Sequence, residues 1–126
     1  MSENDFYTCT LSKEERLKCE RKLTNFTVAD RCHIWKGRLI TEDGYGYIYP
    51  RFREKRRKLK VHRLVYFLKC NMHLCRTKHI SHLCHNKLCL NIEHLSYESA
   101  TINNSRQLCR ENGQCTGHGG HKHCIF

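Results

Sequence analysis

Ten cysteines and ten histidines in a chain of 126 residues are the side chains here best able to do chemistry. Soft thiolates and imidazoles repeating at short intervals suit a divalent ion held tetrahedrally, above all zinc. Cys84, Cys89 and His94 stand at C-x4-C-x4-H, three ligands that one loop can close around an ion. A fourth ligand is then needed. Cys32, distant in sequence but beside a predicted hairpin, would tie that hairpin to the loop, while His33 and His85, each adjacent to a proposed ligand, compete for the place.

A second set ends the chain, with Cys109, Cys115, His118 and Cys124 in CRENGQCTGHGGHKHC. His121 or His123 can replace His118 in it. This stretch is rich in glycine and histidine and has no hydrophobic period, so its folding would depend on a ligand. A fortuitous histidine-rich tail is the competing reading, and it leaves Cys109 and Cys115 without a role. Cys9, Cys19, Cys70 and Cys75 read as free buried cysteines, with Cys70 and Cys75 beside His73 and His79 as a lesser candidate for another metal.

In a secreted protein the same cysteines would be read as disulfides. The opening MSENDFYTCT has no apolar run of the signal-peptide kind, and no stretch is long enough to span a bilayer. The expectation is therefore a reducing compartment, nuclear or cytoplasmic, with zinc in place of disulfides. Lys and Arg exceed Asp and Glu by 23 − 12 = 11, and a surplus of that size on a small protein points to nucleic acid as partner. With 39% hydrophobic residues, a chain this short buries a modest core and gains from a metal staple.

The elements that must position these groups follow from patterning. In LSKEERLKCERK, Ser12 and Glu15 form a capping box that opens a surface helix with a thin apolar stripe. From Cys32 to Phe52, aromatic and β-branched residues alternate with polar ones around Asp43-Gly44, which predicts at least two antiparallel strands and a turn. The segment from Arg51 to Arg63 is a basic ribbon, and period-two alternation would set several cations on one face. Arg51, Arg53, Arg57, Lys58 and Lys60 are its candidate DNA contacts, for phosphates and for base edges in the major groove. Val61, Leu64, Val65 and Leu68 make a helical stripe, so VHRLVYFLKC is a core helix, with His62 read as structural or phosphate-contacting. Farther on, HISHLC reads as a strand, HNKLCLNIEH as a loop, LSY as a strand and ESATINNSRQL as a helix capped near Ser99.

That strand–loop–strand–helix stretch, SHLCHNKLCLNIEHLSYESATINNSRQLC, resembles the core of the His-Cys box homing endonucleases, a branch of the ββα-metal or His-Me finger nucleases. The match runs through His82, Cys84, Cys89, His94, Asn103 and Cys109 over about 30 contiguous residues. The resemblance implies an α+β fold: a small zinc-stapled antiparallel sheet carrying the ββα-metal motif, with short helices. Residues 1–30 read as an N-terminal helical extension and 31–126 as the zinc-binding nuclease domain. Two structural zinc ions, a catalytic Mg²⁺ and hydrolysis of double-stranded DNA are implied with it. His82 would activate water and Asn103 would hold the catalytic metal. An arginine of the preceding sheet is expected near the scissile phosphate, with Arg51, Arg53, Arg56 and Arg57 as candidates and Arg56 preferred. The resemblance also implies a palindromic target and a homodimer. The sequence as given ends at Phe126, soon after the second ligand set, so a nicking monomer is the competing expectation.

The chemistry is coherent apart from the resemblance. Attack on a phosphodiester needs a nucleophile deprotonated near neutral pH, and histidine is a suitable base. A magnesium site with few protein ligands is normal, because the ion keeps several waters. Arg106, one turn beyond Asn103, is read as a phosphate contact or a solvated side chain. Three other readings fit the same residues: a catalytically inactive zinc module that binds DNA, a nuclease without site preference, and a nuclease acting on RNA.

Overall fold

The computed structural model describes residues 6–37 and 41–126. Ser12 caps α1 (Lys13–Lys22) through the reciprocal capping box, its Oγ accepting from Glu15 N at 3.1 Å while its own N–H donates to Glu15 Oε1 at 2.8 Å. Cys19 is the buried residue of this helix, in keeping with its thin apolar stripe.

β1 (Phe26–Ala29) pairs antiparallel with β2 (Cys32–Trp35), Ala29 opposite Cys32. Asp30 and Arg31 turn this hairpin with φ of 49° and 68°, the left-handed pair that a tight two-residue turn requires. The strand beginning at Cys32 is therefore paired backward in sequence. The sequence predicts its partner across Asp43-Gly44, and part of that segment, 38–40, lies outside the described residues. Asp43 still organises a turn: its carboxylate accepts from the Thr41 hydroxyl, from Tyr45 N at 3.1 Å and from Tyr47 Oη at 2.9 Å. Burial alone would raise its pKa, but these donors bring it down to about 2.

β3 (Tyr47–Ile48) pairs with β6 (Leu59–Lys60), and between them β4 (Arg51–Phe52) and β5 (Lys55–Arg56) form a second hairpin turned by Arg53 and Glu54. This ribbon does not alternate cleanly. Phe52, Arg57 and Leu59 point inward and are buried, whereas Arg51, Lys55, Arg56 and Lys58 are exposed. Arg57 thus departs from its expected place on a DNA-facing surface. Its guanidinium lies over the Phe52 ring, where a planar cation meets the aromatic face.

α2 (Val61–Cys70) has the bounds its apolar stripe predicts, and it ends at Asn71 in the left-handed conformation. Val61, Leu64, Val65 and Leu68 belong to the main core, together with Phe6, Tyr7, Trp35, Phe52, Ile80 and Leu95. Phe6 meets Phe52 edge-on at 4.9 Å, and Tyr7 meets Phe67 edge-on at 5.3 Å, the arrangement favoured by ring quadrupoles. Residues ahead of 30 therefore supply a helix, a strand and two fully buried core aromatics. Gly46 is required by Trp35: a Cβ on it would come within 2.4 Å of the indole.

β7 (Lys78–His82) and β8 (Leu95–Ser99) form the remaining antiparallel pair, Lys78 opposite Ser99 and His82 opposite Leu95. The loop joining them closes with one 3₁₀ turn at Ile92–His94. α3 (Ala100–Asn112) leaves β8 directly, with Ser99 Oγ accepting from Ile102 N at 3.2 Å and Gly113 ending it at φ 72°. Strand, metal-ligand loop, strand and helix thus make one ββα unit within a small α+β fold.

Candidate metal centres and active-site cleft

The Cys84–His94 loop is tied to the first hairpin by backbone pairing. Trp35 N donates to Leu88 O at 2.8 Å and Leu90 N to His33 O at 2.7 Å, around an antiparallel bridge between Ile34 and Cys89. This contact delivers Cys32 to the loop. Ligand atoms of Cys32, Cys84, Cys89 and His94 all lie within 4.8 Å of one another. His94 Nδ1 is 3.6 Å from Cys32 Sγ and 3.5 Å from Cys89 Sγ. A tetrahedron built on Zn–S and Zn–N bonds of usual length has edges of about 3.5–3.8 Å, so the donor set fits zinc. The rivals are otherwise engaged: His33 stacks on Phe26 with ring centres 5.0 Å apart, and His85 on Phe126 at 5.2 Å. Three adjoining thiols cannot all ionise alone. Cys84 is pushed up chiefly by its hydrogen bond to Cys89, and Cys89 is drawn down by that same bond, a conflict that a dication relieves.

Cys109, Cys115, His118 and Cys124 converge in the same way, again within 4.8 Å. His118 Nε2 lies 3.4 Å from Cys109 Sγ and 3.5 Å from Cys124 Sγ. Its other nitrogen, Nδ1, is 2.8 Å from Ser105 Oγ, which donates onward to Ile102 O at 2.6 Å. That order fixes the tautomer: Nδ1 carries the proton and Nε2 keeps its lone pair for a metal. His121 instead approaches the Glu98 carboxylate at 3.9 Å, so the choice among the three tail histidines falls on His118. Two Cys3His sites, each fitting one zinc ion, bracket the ββα unit.

Between them opens a cleft of about 360 Å³, lined by Tyr45, Ile80, His82, His85, Lys87, Asn103, Asn104, Arg106, Gln107 and Arg110. The His82 ring is buried, and its Nε2 lies 3.1 Å from the carbonyl of Cys89. A carbonyl can only accept, so the neutral ring carries its proton on Nε2 and its lone pair on Nδ1. Burial lowers the His82 pKa to about 4 despite that hydrogen bond, and the nearby Lys87 ammonium adds to the lowering. His62, fully buried, packs its ring 4.3 Å from that of His82 and is held well below the usual histidine range, first by burial and then by His82. Asn103 sits in the first turn of α3. Its Oδ1 accepts from Ser81 Oγ at 2.6 Å, and its Nδ2 lies 3.4 Å from His79 Nδ1.

A second cavity of about 170 Å³ adjoins the first, sharing Tyr45, Ile80 and Asn103 and adding Lys60, Arg63, Arg76, Lys78 and His79. Neither cavity is lined by Arg56, whose guanidinium donates to Tyr49 O at 2.9 Å within the basic ribbon. Arg53 pairs with Glu15 at 3.2 Å and also donates to Thr10 O. Lys58 lies over the Tyr47 ring, and Lys60 over that of Tyr45. The cations lining the two cavities are thus Lys60, Arg63, Arg76, Lys78, Lys87, Arg106 and Arg110, of which the sequence singles out Lys60 and Arg106.

Arg106 is neither solvated nor free to meet phosphate. It is buried and forks onto Glu98, with Nε to Oε1 at 2.5 Å and Nη2 to Oε2 at 2.9 Å, while Nη1 donates to Cys124 Sγ at 3.4 Å. Sequence reading overlooked Glu98. The available signal was an acidic residue at an inward position of β8, eight residues before an arginine.

Residues 31–124 match the family described as the zinc-binding loop region of homing endonuclease. The chain belongs to that family. No curated protein matches the chain. Membership accounts for the loop architecture and for the two ligand sets, and it sets the chain among proteins related to nucleases. Among the described residues no helix is long and apolar enough to cross a membrane.

Proposed function

We propose that this family member is a metal-dependent DNA endonuclease in which His82 is the general base and Asn103 holds a catalytic Mg²⁺. The observation that carries the reading is the anchoring of His82 Nε2 on the Cys89 carbonyl, which leaves Nδ1 as the one basic nitrogen of a ring lining the same cleft as Asn103. A neutral, oriented imidazole is what abstraction of a proton from water requires. The ligand loop supplies that carbonyl, so an ion held by Cys32, Cys84, Cys89 and His94 would keep the base in place by stiffening the loop.

The amide oxygen of Asn103 is a hard, neutral donor suited to magnesium. A bound Mg²⁺ would offset charge on the phosphate and stabilise the departing 3′ oxygen. His82 Nδ1 takes the proton as water attacks phosphorus, and Lys87 lends positive potential to the cleft. The exposed Arg51, Lys55, Arg56 and Lys58 of the basic ribbon would hold duplex DNA mainly through its phosphates, which carry the larger share of such affinity.

The test is cleavage of supercoiled plasmid by zinc-loaded protein with Mg²⁺. His82→Ala should lower the rate at least about 100-fold, the lower end for loss of a general base, while DNA binding persists. Equal rates in both proteins would refute the mechanism. Binding without cleavage in either would make the chain an inactive DNA-binding module. Sequencing the cut ends separates a recurring target from dispersed cleavage, and linear product formed without a nicked precursor would indicate two centres acting together, as a homodimer requires.

A further inference from the structure

The Asn103 amide is fixed at both ends, and the group fixing its oxygen is a residue with no assigned role. Ser81, 2% exposed and next to last in β7, donates to Oδ1 at 2.6 Å, while His79 Nδ1 stands 3.4 Å from Nδ2. In this arrangement the amide oxygen accepts from the Ser81 hydroxyl while Nδ2 faces the His79 ring. A carbonyl oxygen has two acceptor positions, and Ser81 occupies only one. The other remains for a cation in the cleft that Asn103 lines.

Ser81 has a single proton and two acceptors within reach, because its hydroxyl also interacts with the Glu98 carboxylate. What frees that proton for Asn103 is Arg106. Its fork supplies Glu98 with two charge-assisted N–H bonds, so the carboxylate does not depend on the serine alone. The remaining Nη1 of Arg106 rests on Cys124 of the second Cys3His centre. The contacts thus run unbroken from the second metal centre through Arg106, Glu98 and Ser81 to Asn103.

We propose that Ser81 is a positioning residue that aims the Asn103 amide oxygen at the cleft cation, and that the Glu98–Arg106 pair, steadied by the second zinc centre, keeps its hydroxyl in that role. The inference rests on the reading of Asn103 as the metal-holding residue. It gives the C-terminal zinc centre a task in the reaction cleft, about one helix away from its ligands.

The test measures cation binding directly. Zinc-loaded full-length protein carrying His82→Ala, to silence cleavage, is mixed with duplex DNA and titrated with Mn²⁺, the free ion being followed by electron paramagnetic resonance. Asn103→Ala in this background should abolish the DNA-dependent Mn²⁺ site. Ser81→Ala should weaken it between about twofold and tenfold, the effect of one lost hydrogen bond, and Ser81→Thr, which keeps the hydroxyl, should restore it. Zinc content and thermal midpoint are read on each variant, so that a folding defect is recognised. Unchanged Mn²⁺ affinity in a zinc-replete Ser81→Ala protein overturns the positioning role while leaving Asn103 as ligand. Absence of any Asn103-dependent site in the parent overturns the metal reading beneath it, and this inference with it.

Discussion

Removing the Arg106 guanidinium should be among the most damaging single changes available outside the metal ligands. Arg106 and Glu98 have side-chain exposures of 3% and 0%, so Arg106→Ala strands a carboxylate that water cannot reach. The hydroxyls of Ser81 and Ser96, and the His121 ring at 3.9 Å, are the groups left beside it. Breaking a buried pair by removing one partner costs about 3–5 kcal/mol, whereas an exposed pair contributes about 1 kcal/mol or less. For a chain of this size each kcal/mol is worth roughly 3–5 °C in Tm, so a fall on the order of 10–20 °C is expected. The assay is thermal unfolding at neutral pH with zinc in excess, which keeps the Cys124 centre filled when its neighbour is lost. Adding Glu98→Gln to Arg106→Ala removes the stranded charge and should recover part of the loss, a coupling that a double-mutant cycle reads directly. The pH dependence has a fixed sign. In the native protein burial alone would raise Glu98, but the Arg106 bonds and charge together with the Ser81 and Ser96 hydroxyls hold it below its ordinary value of 4.5, so its stabilising contribution is present above about 4.5 and lost as pH falls through the lower native value. Without Arg106 burial prevails, and the deficit of the variant should widen as pH rises from about 4 to 7. A fall of less than about 3 °C, or a double variant no better than Arg106→Ala, would refute the claim that this pair is a buried anchor.

Zinc-loaded protein should contain two zinc ions per chain, with chelation unfolding it at a cost on the order of 10 kcal/mol per site; metal analysis finding fewer than two would break the ligand assignment. Cys32→Ser should lose the first ion and leave the second, because Cys32 serves only the hairpin-side centre. DNA affinity should fall steeply with salt, and each of Arg51→Ala, Lys55→Ala and Lys58→Ala should reduce the slope of log K against log salt by about 0.9. Arg57→Ala should lower thermal stability and leave that slope alone, since the side chain is buried. Asp43 stabilises its turn above its unfolded pKa and loses that effect as pH falls from about 4 through its native value of about 2; the difference between native protein and Asp43→Asn in acid unfolding should vanish over that window, and a constant difference would count against the hydrogen-bonded carboxylate.

Local physics was legible in the residues. Ser12 and Ser99 announce helix starts because a hydroxyl or its capping partner satisfies free amides within the same turn. Val61, Leu64, Val65 and Leu68 announce a helix because a 3.6-residue period leaves them one face to bury. The strand at His82 and the helix bearing Asn103 were equally readable, each carrying its own pattern. Less legible was β1, whose FTVA offers four exposed residues and no alternation into a core. The turn following it uses Asp30 and Arg31 rather than the asparagine or glycine that would have marked it. The basic ribbon misled in a different way: charge alone does not tell an outward Arg56 from an inward Arg57, because a guanidinium can be buried over an aromatic ring.

By itself the sequence determined the ligand chemistry, since thiolates and imidazoles at these intervals have few other uses and are mostly brought together by loops too short to do otherwise. It determined the ββα order as well. Tertiary structure decided which distant groups meet. Cys32 completes a centre because β2 docks on residues 88–90; Arg106 faces Glu98 and not solvent; Ser81 reaches the amide of Asn103 across 22 residues of chain. Such encounters follow from the summed burial of the whole core and from where each turn redirects the backbone. Those are sums over contacts between segments remote in sequence, and no window of residues contains them.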